Sequence, residues 1–185
     1  MLEPTDETLA AEVQSGDTEA FGLLVRRYED KLTRYARKFL FAGDDAADVV
    51  QEVFIKAFTN IKSFDVRKRF SPWIYRIAHN SLINEIKKQR RLPLALNLDL
   101  LLPHPAARET ADDAATRAET RKLLDDCLDK LDQKYREVLV LYYYEELDYR
   151  EIADILKIPI ATVGIRLLRG KQAMKKIIRA ADHAL

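Results

Sequence analysis

The segment from Phe70 to Arg91 carries two kinds of side chain whose types and spacing suit contact with nucleic acid. Arginine and lysine hold phosphates, whereas asparagine amides hydrogen-bond to base edges. Such residues recur at three- and four-residue steps, at Arg76, Asn80, Asn84, Lys87, Lys88 and Arg91. In an α-helix this spacing places them on one face, so the segment predicts a helical surface that binds nucleic acid.

The same segment carries an apolar stripe that we expect to pack against a helical core. Its members are Ile74, Tyr75, Ala78, Leu82 and Ile86. Ser71 suits the N-cap and Pro72 suits the first helical position, so we predict that the helix begins there. The alternative for this segment alone is an ordinary amphipathic helix with a solvated basic face.

A second basic helix is predicted near the C-terminus. Asp148 and Glu151 have the spacing of a capping box, which opens a short helix that Pro159 ends. A final helix runs from about residue 161 to 179. Its inward residues are Val163, Leu167, Gly170, Met174 and Ile177 or Ile178, and its outward residues are Arg166, Arg169, Gln172, Lys176 and Arg179. A short helix, a tight turn and a basic helix are typical of a helix-turn-helix, whose second helix enters the DNA major groove. An ordinary helical hairpin with a hydrated basic face is the alternative.

The charges along the chain are segregated, although the net charge of the 185 residues is only +1. Residues 62–91 hold nine Lys and Arg against two acids, and residues 158–185 hold six against one. Residues 92–120 and 121–157 each carry a net charge of −3. Two positive patches divided by acidic chain indicate two contacts on one extended polyanion.

Composition excludes several classes of protein. With 48% hydrophobic and 33% charged residues, the chain suits a globular protein of one domain or two small ones. No apolar run is long enough to span a bilayer, and the acidic N-terminus lacks the layout of a secretory signal. Cys127 is the only cysteine, and the three histidines have no metal-ligand spacing. We therefore expect a cytoplasmic protein without disulfides, metal or cofactor.

The hydrophobic periodicity predicts an all-α fold of two small helical domains. No segment alternates with period two, so no sheet is expected. The domains are predicted at residues 1–91 and 117–185, joined by a flexible, proline-interrupted, acidic linker at residues 92–116. In the second domain, Asp132 is the expected cap of a helix whose aromatic residues, Tyr142, Tyr143 and Tyr144, are expected to pack rather than to act chemically.

Helix boundaries in the first domain are read from capping residues. Asp6 is the predicted cap of a short helix, and Asp17 or Thr18 the predicted cap of a long one. We expect Gly43 to close the long helix and Asp44 to open the next.

The third helix is predicted to have an apolar and a polar side. The apolar side holds Val49, Val50, Val53, Phe54, Ala57, Phe58 and Ile61, and the polar side holds Asp48, Gln51, Glu52 and Lys56. Together with Asp44 and Asp45, the acids suggest an alternative Mg²⁺ site in a nuclease or recombinase. Against it, the acids lie on a different helix from the basic stripe, whereas a metal that acts on nucleic acid belongs beside the phosphates.

Taken together, five segments make the chain resemble a bacterial RNA polymerase sigma factor of the extracytoplasmic-function (ECF) type, with sigma regions 2 and 4. The segments are GDTEAFGLLVRRY (16–28), DVVQEVFIKAF (48–58), FSPWIYRIAHNSLINEIKKQRR (70–91), YREVLVLYYYEELDYREIADILKIP (135–159) and ATVGIRLLRGKQAMK (161–175). The resemblance covers nearly the whole chain outside residues 92–116.

This resemblance implies a function in promoter-specific transcription initiation, without enzymatic activity. It implies that core polymerase is bound through its β′ and β subunits, with Asp48, Gln51 and Glu52 docking on a coiled coil of β′. The downstream promoter element would be melted and a flipped base captured by the loop from Lys62 to Arg69 and the following helix. The residues assigned to this element are Arg69, Trp73, Arg76, Asn80, Asn84, Lys87, Lys88 and Arg91. The residues assigned to the upstream element, read as duplex, are Thr162, Arg166, Arg169 and Lys171.

The resemblance further implies an anti-sigma partner and a linker that threads toward the polymerase active site. Two positions depart from the family pattern: Gly164 stands where a basic residue is usual, and Ile165 where a small polar one is usual. A stand-alone helix-turn-helix regulator is the remaining alternative, although it leaves the acidic patch of the third helix unexplained.

Overall fold

A computed structural model describes residues 3–40, 43–91 and 123–182 of the chain. These residues form α-helices and one short 3₁₀ turn and contain no strand, so the all-α prediction is confirmed. The chain divides into two compact units, one of residues 1–98 with 154–157 and the other of residues 99–153 with 158–185. The predicted linker at 92–116, including its leucine-rich stretch, lies outside the described residues.

Four helices build the N-terminal unit: α1 (Asp6–Gln14), α2 (Thr18–Arg37), α3 (Gly43–Asn60) and α4 (Phe70–Arg91). The 3₁₀ turn Ile61–Ser63 follows α3. Helix α2 packs on α1 and α3, and α3 packs on α4. The buried side chains come from all four helices and recur at helical spacing, among them Leu9, Leu24, Leu32, Val53, Ile74 and Leu82.

The caps of the N-terminal unit agree with the sequence in part. Asp17 is the N-cap of α2, and its carboxylate accepts hydrogen bonds from the backbone N–H groups of Glu19 and Ala20. The prediction that Asp6 is the N-cap of α1 is wrong, because Thr5 is the N-cap. The carboxylate of Asp6 instead accepts hydrogen bonds from Arg27, at 2.7 Å, and from the hydroxyl of Tyr28, at 2.6 Å.

Two further boundaries differ from the prediction. Gly43 does not close α2, which ends at Arg37; it is the first residue of α3. Helix α4 begins at Phe70, so Ser71 lies inside the helix and is not its N-cap. Pro72 is then the third helical residue, where a backbone N–H would still lack an intrahelical acceptor.

The C-terminal unit begins in the described chain with a helix at residues 123–129, named α5. It continues with α6 (Gln133–Tyr143), α7 (Tyr149–Leu156) and α8 (Ile160–Asp182). Asp132 is the N-cap of α6, as predicted, and accepts a hydrogen bond from the N–H of Lys134. Cys127, Leu141, Ile152, Val163 and other apolar residues of these helices form the core.

Candidate nucleic-acid interface

Helix α4 separates a buried face from an exposed polar face. Ile74, Tyr75, Ala78 and Leu82 are buried, as the apolar stripe predicts, whereas Ile86 near the end of the helix is half-buried. The polar residues of the opposite stripe are all exposed: Arg76, Asn80, Asn84, Lys87 and Lys88. The apolar face thus packs α4 on the core, and the polar face is left exposed. Arg91 belongs to the helix, but its side chain is outside the described part.

An aromatic cluster fixes the start of α4. Trp73 is half-buried, and its ring centroid lies 5.2 Å from that of Phe64 and 5.4 Å from that of Phe70. Tyr28 of α2 packs edge-on against Phe70 at 5.4 Å. Trp73 therefore forms part of a packed aromatic wall beside the exposed stripe of the helix.

The segment from Lys62 to Arg69, which joins the 3₁₀ turn to α4, is basic, and a side chain of α1 supports its start. Lys62, Arg67, Lys68 and Arg69 are exposed. The side-chain amide of Gln14 in α1 donates hydrogen bonds of 2.8 Å to the carbonyl oxygens of Ile61 and Phe64. Because Gln14 is about 50 residues distant in sequence, nothing in the local pattern of the loop predicts this support.

Within the loop, Asp65 organises Arg67. Its carboxylate accepts hydrogen bonds from the backbone N–H of Arg67 and, at 2.9 and 3.0 Å, from the guanidinium. These hydrogen bonds and the positive charge of Arg67 lower the pKa of Asp65 to about 2. The carboxylate is therefore ionised at neutral pH, where it can accept these hydrogen bonds from Arg67.

On α3, three members of the predicted polar side are exposed and the fourth, Lys56, is half-buried. Asp48, Gln51 and Glu52 are exposed. Lys56, predicted to point outward, is half-buried, and its ammonium donates a 3.0 Å hydrogen bond to the hydroxyl of the buried Ser81 in α4. It also pairs with Glu52 at 2.7 Å, so Lys56 links α3 to α4.

Beside this patch, an apolar groove of about 620 Å³ lies between α2 and α3. Phe21, Phe54, Ile55 and Phe58 line it, and Gln51 lies at its edge. Phe58 was predicted to pack inward, but its side chain is 43% exposed. The ring of Phe21 packs against it at a centroid distance of 5.0 Å. Exposed aromatic and aliphatic side chains next to polar ones are typical of surfaces that bind a protein partner.

The helix-turn-helix of the C-terminal unit has the predicted caps and turn. The carboxylate of Asp148 accepts hydrogen bonds from the N–H groups of Arg150 and Glu151, and the carboxylate of Glu151 accepts one from the N–H of Asp148. This reciprocal arrangement is a capping box with Asp in place of Ser or Thr. Lys157, with a φ of 56°, reverses the chain between α7 and α8.

Helix α8 extends over Ile160–Asp182, slightly beyond its predicted range, and buries Val163, Leu167 and Gly170. Gly170 permits a close approach of α6, because a Cβ at this position would lie 3.1 Å from Cδ1 of Leu139 and 3.3 Å from Cβ of Tyr135. Gly164 is less confined, since a Cβ there would meet only the ring of Tyr149, at 3.5 Å.

The four candidate upstream contacts on α8 do not share one face. Arg169 is exposed and Thr162 and Arg166 are half-buried, and the spacing of these three residues places them on the same side of the helix. The ammonium of Lys171 lies 6.0 Å from the ring centre of Tyr143, away from the outer stripe.

A second apolar groove, of about 580 Å³, lies among α5, α6 and α8. It is lined by Leu124, Leu128, Leu139, Tyr143, Tyr144, Met174 and Ile178, with Lys171, Lys175 and Arg179 at its border. Tyr142 packs on Tyr143 and Tyr149, as expected. Tyr143 and Tyr144 are 52% and 44% exposed, so they pack at the surface, where both line this groove.

The described residues contain no group of three or more potential metal ligands. The side chains of Asp44 and Asp45, which the alternative Mg²⁺ site requires, lie outside the described part. Among the helices at 3–40, 43–91 and 123–182, none combines the length and apolar character needed to cross a membrane.

Comparison with known proteins relates both units to one family. The sigma-70 region 2 model matches residues 24–92, and the sigma-70 region 4 model matches residues 121–174. The ECF RNA polymerase sigma factor SigW of Bacillus subtilis is 36% identical over 175 residues, which are 91% of this chain and 94% of SigW. The ECF RNA polymerase sigma-E factor of Escherichia coli is 33% identical over 177 residues, 92% of either chain.

A solved structure has a similar fold over nearly the same length. It is the structure of CnrH in complex with the cytosolic domain of CnrY, which matches with a TM-score of 0.70 at 29% identity. The match covers 95% of this chain and 97% of CnrH.

Proposed function

This chain belongs to the extracytoplasmic-function sigma factors of RNA polymerase, and we propose that its two helical units divide promoter recognition between them. As a sigma factor, it directs promoter-specific transcription initiation. The family consists of initiation factors rather than enzymes, and we propose that this chain likewise catalyses no reaction of its own. The observation that carries the proposal is the exposed stripe of amides and cations on α4, mounted on a buried apolar face.

In the proposed division, residues 1–91 melt the downstream promoter element and residues 117–185 read the upstream element as duplex. Residues 92–116 connect the two. An unstacked base needs an aromatic wall or pocket and partners for its Watson–Crick edge. The packed cluster around Trp73 supplies a wall, and Asn80 lies two helical turns further along α4 with its amide exposed. The basic loop from Lys62 to Arg69 supplies charge for the phosphates on either side of such a base.

Lys87, Lys88 and Arg91 continue this surface as proposed phosphate contacts. Arg76 and Asn84 complete the proposed downstream set. The loop needs little reorganisation on binding because Gln14 and Asp65 already hold it. Preorganisation of this kind lowers the entropy cost of ordering side chains at an interface.

The proposed docking surface for core polymerase combines the polar patch Asp48, Gln51 and Glu52 with the adjacent groove on α3. Protein interfaces typically join an apolar centre to a polar rim, and Gln51 contributes to both here. The exposed side chains of Ile55 and Phe58 supply apolar area, and the carboxylates of Asp48 and Glu52 supply negative charge that selects a basic partner surface.

In the C-terminal unit, we propose that α8 enters the major groove of the upstream element, with Thr162 and Arg169 facing the bases. Arg166 lies one turn from Thr162 and from Arg169 and is proposed to join them, whereas Lys171 borders the second groove and is proposed to contact the phosphate backbone. Promoter DNA and the β′ and β subunits of core polymerase are thus the proposed partners.

CnrH was solved with the cytosolic domain of CnrY, and by analogy we propose a regulatory anti-sigma partner for this chain. Since its targets are polymerase and promoter DNA, the proposed compartment is the cytoplasm.

Competition for core polymerase tests this assignment. A labelled wild-type chain bound to core enzyme is displaced by unlabelled wild type. We expect that the double variant Asp48→Lys/Glu52→Lys must be added at a concentration at least tenfold higher to displace the same fraction of label. The matched control is Glu12→Lys/Glu19→Lys, which reverses two exposed acids on α1 and α2. Equal displacement by the two double variants, with helix content unchanged, contradicts the proposed docking surface.

A further inference from the structure

Two aliphatic side chains stand at the centre of the exposed face of α8. Ile165 is 52% exposed and Leu168 is 59% exposed. The face opposite them holds the buried residues Val163 and Leu167 that anchor the helix. Ile165 and Leu168 therefore project away from the C-terminal unit on the side that a helix-turn-helix presents to DNA.

The two residues form one small apolar patch with polar neighbours. Positions three apart on a helix are neighbours, with Cβ atoms about 5–6 Å apart. Arg169 and Gln172, one turn or two turns beyond Ile165, are both exposed and lie on the same side of α8. Singly exposed aliphatic residues are ordinary on a protein surface. A pair on the outward face of a basic helix is a different arrangement, because an arginine and a glutamine side chain lie directly beside it.

This patch is separate from the second groove. That groove is lined by Met174 and Ile178 from another side of α8 and by residues of α5 and α6. Neither Ile165 nor Leu168 contributes to it. The patch is therefore a surface distinct from this groove.

Duplex DNA offers one apolar group in the major groove, the C5-methyl of thymine. Cytosine, adenine and guanine present only donors, acceptors and an unsubstituted ring edge there. Building on the proposed function, we infer that Ile165 and Leu168 are specificity-determining residues that contact thymine methyls in the upstream promoter element. The phosphate contact proposed for Lys171 keeps the helix at the depth that such contact needs.

The inference gives the departure at position 165 a physical role. A small polar residue at this position would offer the base edges a hydroxyl, whereas Ile165 offers only apolar surface. The chain is then expected to demand thymine at the facing base pair, on either strand, and to discriminate against cytosine by the missing methyl as well as by its amino group.

Replacement of thymine by deoxyuridine tests the inference, because it removes the methyl and leaves base pairing unchanged. Holoenzyme reconstituted from the full chain and core polymerase first selects binding sequences from a randomised duplex pool. Every thymine of the selected upstream element is then replaced singly. We expect about fourfold weaker binding at one or two positions, which corresponds to the ~0.8 kcal/mol of one buried methyl-sized group.

Variants of the two residues complete the experiment. With Ile165→Ala or Leu168→Ala, the penalty at the corresponding thymine falls to less than twofold. Both residues are exposed and alanine favours helix, so folding is retained. Leu123→Ala, which removes an exposed aliphatic residue from α5, is the matched control and keeps the full penalty.

Two results overturn the inference while leaving the proposed function intact: equal binding to thymine and deoxyuridine at every position, or an unchanged penalty in both α8 variants. Failure of the holoenzyme to select any sequence overturns the proposed function, and the inference with it.

Discussion

The carboxylate of Glu7 in α1 accepts a 2.9 Å hydrogen bond from the backbone N–H of Phe70, the first residue of α4. The two residues are 63 positions apart in sequence. An N-terminal N–H of a helix has no intrahelical acceptor, and a carboxylate there also interacts favourably with the helix dipole. The proposed DNA-contacting helix is therefore capped by a different helix of the same unit.

Replacing Glu7 by alanine is expected to lower the free energy of unfolding of the N-terminal unit by about 1–2 kcal/mol, because a part-buried N–H loses a charged acceptor. Chemical denaturation followed by fluorescence measures this change. Trp73 is the only tryptophan and lies within the aromatic cluster beside Phe70, so its signal reports this unit.

Two further variants control for the loss of charge. Glu7→Gln retains an acceptor oxygen and is expected to recover part of the loss. Glu12→Ala, on the exposed side of α1, is expected to change stability by less than about 0.5 kcal/mol. Equal effects of Glu7→Ala and Glu12→Ala contradict a capping role for Glu7.

His79 makes the stability of the N-terminal unit depend on pH. Its ring lies with Nδ1 3.4 Å from the hydroxyl of Tyr35, and burial lowers its pKa from 6.5 to about 4. The unfolded ring binds a proton below pH 6.5 whereas the folded ring does not until about pH 4. Stability is therefore fully present above pH 6.5 and is lost as the pH falls toward 4.

Between pH 7 and pH 4.5, we expect the wild type to lose about 2 kcal/mol more than His79→Gln, whose side chain does not titrate. A full pKa unit corresponds to about 1.4 kcal/mol, and the half-buried ring retains part of its hydration. Denaturation curves of both proteins at the two pH values give this difference. A His79 imidazole that titrates near 6.5 by NMR contradicts the expectation.

The sequence predicted those features that depend on neighbours in the chain. Asp17, Asp132 and Asp148 are caps because their acceptors reach N–H groups two or three residues away. Helical spacing likewise predicted the buried and exposed sides of α4.

Long-range contacts account for several of the misplaced residues. Asp6 was predicted as a cap, but Arg27 and Tyr28 attract its carboxylate from α2. Ser71 was predicted as a cap, but the helix begins one residue earlier, and Glu7 accepts a hydrogen bond from the backbone N–H of Phe70. Lys56 was predicted to face solvent, but it reaches Ser81 on α4. Local spacing contains no information about any of these partners.

The two glycines of α8 are expected to respond oppositely to alanine. At Gly164 the added Cβ meets only Tyr149, at 3.5 Å, so the higher helix propensity of alanine stabilises the C-terminal unit by up to about 1 kcal/mol. At Gly170 the Cβ approaches Leu139 and Tyr135 within 3.3 Å, and overpacking outweighs the propensity gain. Thermal unfolding followed by circular dichroism orders the variants, and a stability of Gly170→Ala equal to that of Gly164→Ala contradicts the close packing of α6 on α8.

The exposed stripe of α4 is expected to hold two separable functions. Lys87→Ala/Lys88→Ala weakens holoenzyme binding to all promoters alike and reduces the slope of log affinity against log salt by about 2, since two phosphate contacts are lost. Asn80→Ala changes which downstream base is preferred and leaves the salt slope unaltered. Affinity measurements over a range of salt concentrations, on promoters that differ at single downstream positions, distinguish these outcomes. A loss for Asn80→Ala that is the same on every sequence contradicts a reading role.

Run-off transcription with purified core polymerase tests the central claim most directly. The template is a genomic DNA library, and transcripts are compared with and without the full chain. Addition of the wild type is predicted to give discrete start sites that share an upstream and a downstream element at fixed spacing, and Asp48→Lys/Glu52→Lys is predicted to give few or none. DNA binding by the chain alone, with no transcript that depends on its addition to core polymerase, would contradict the account.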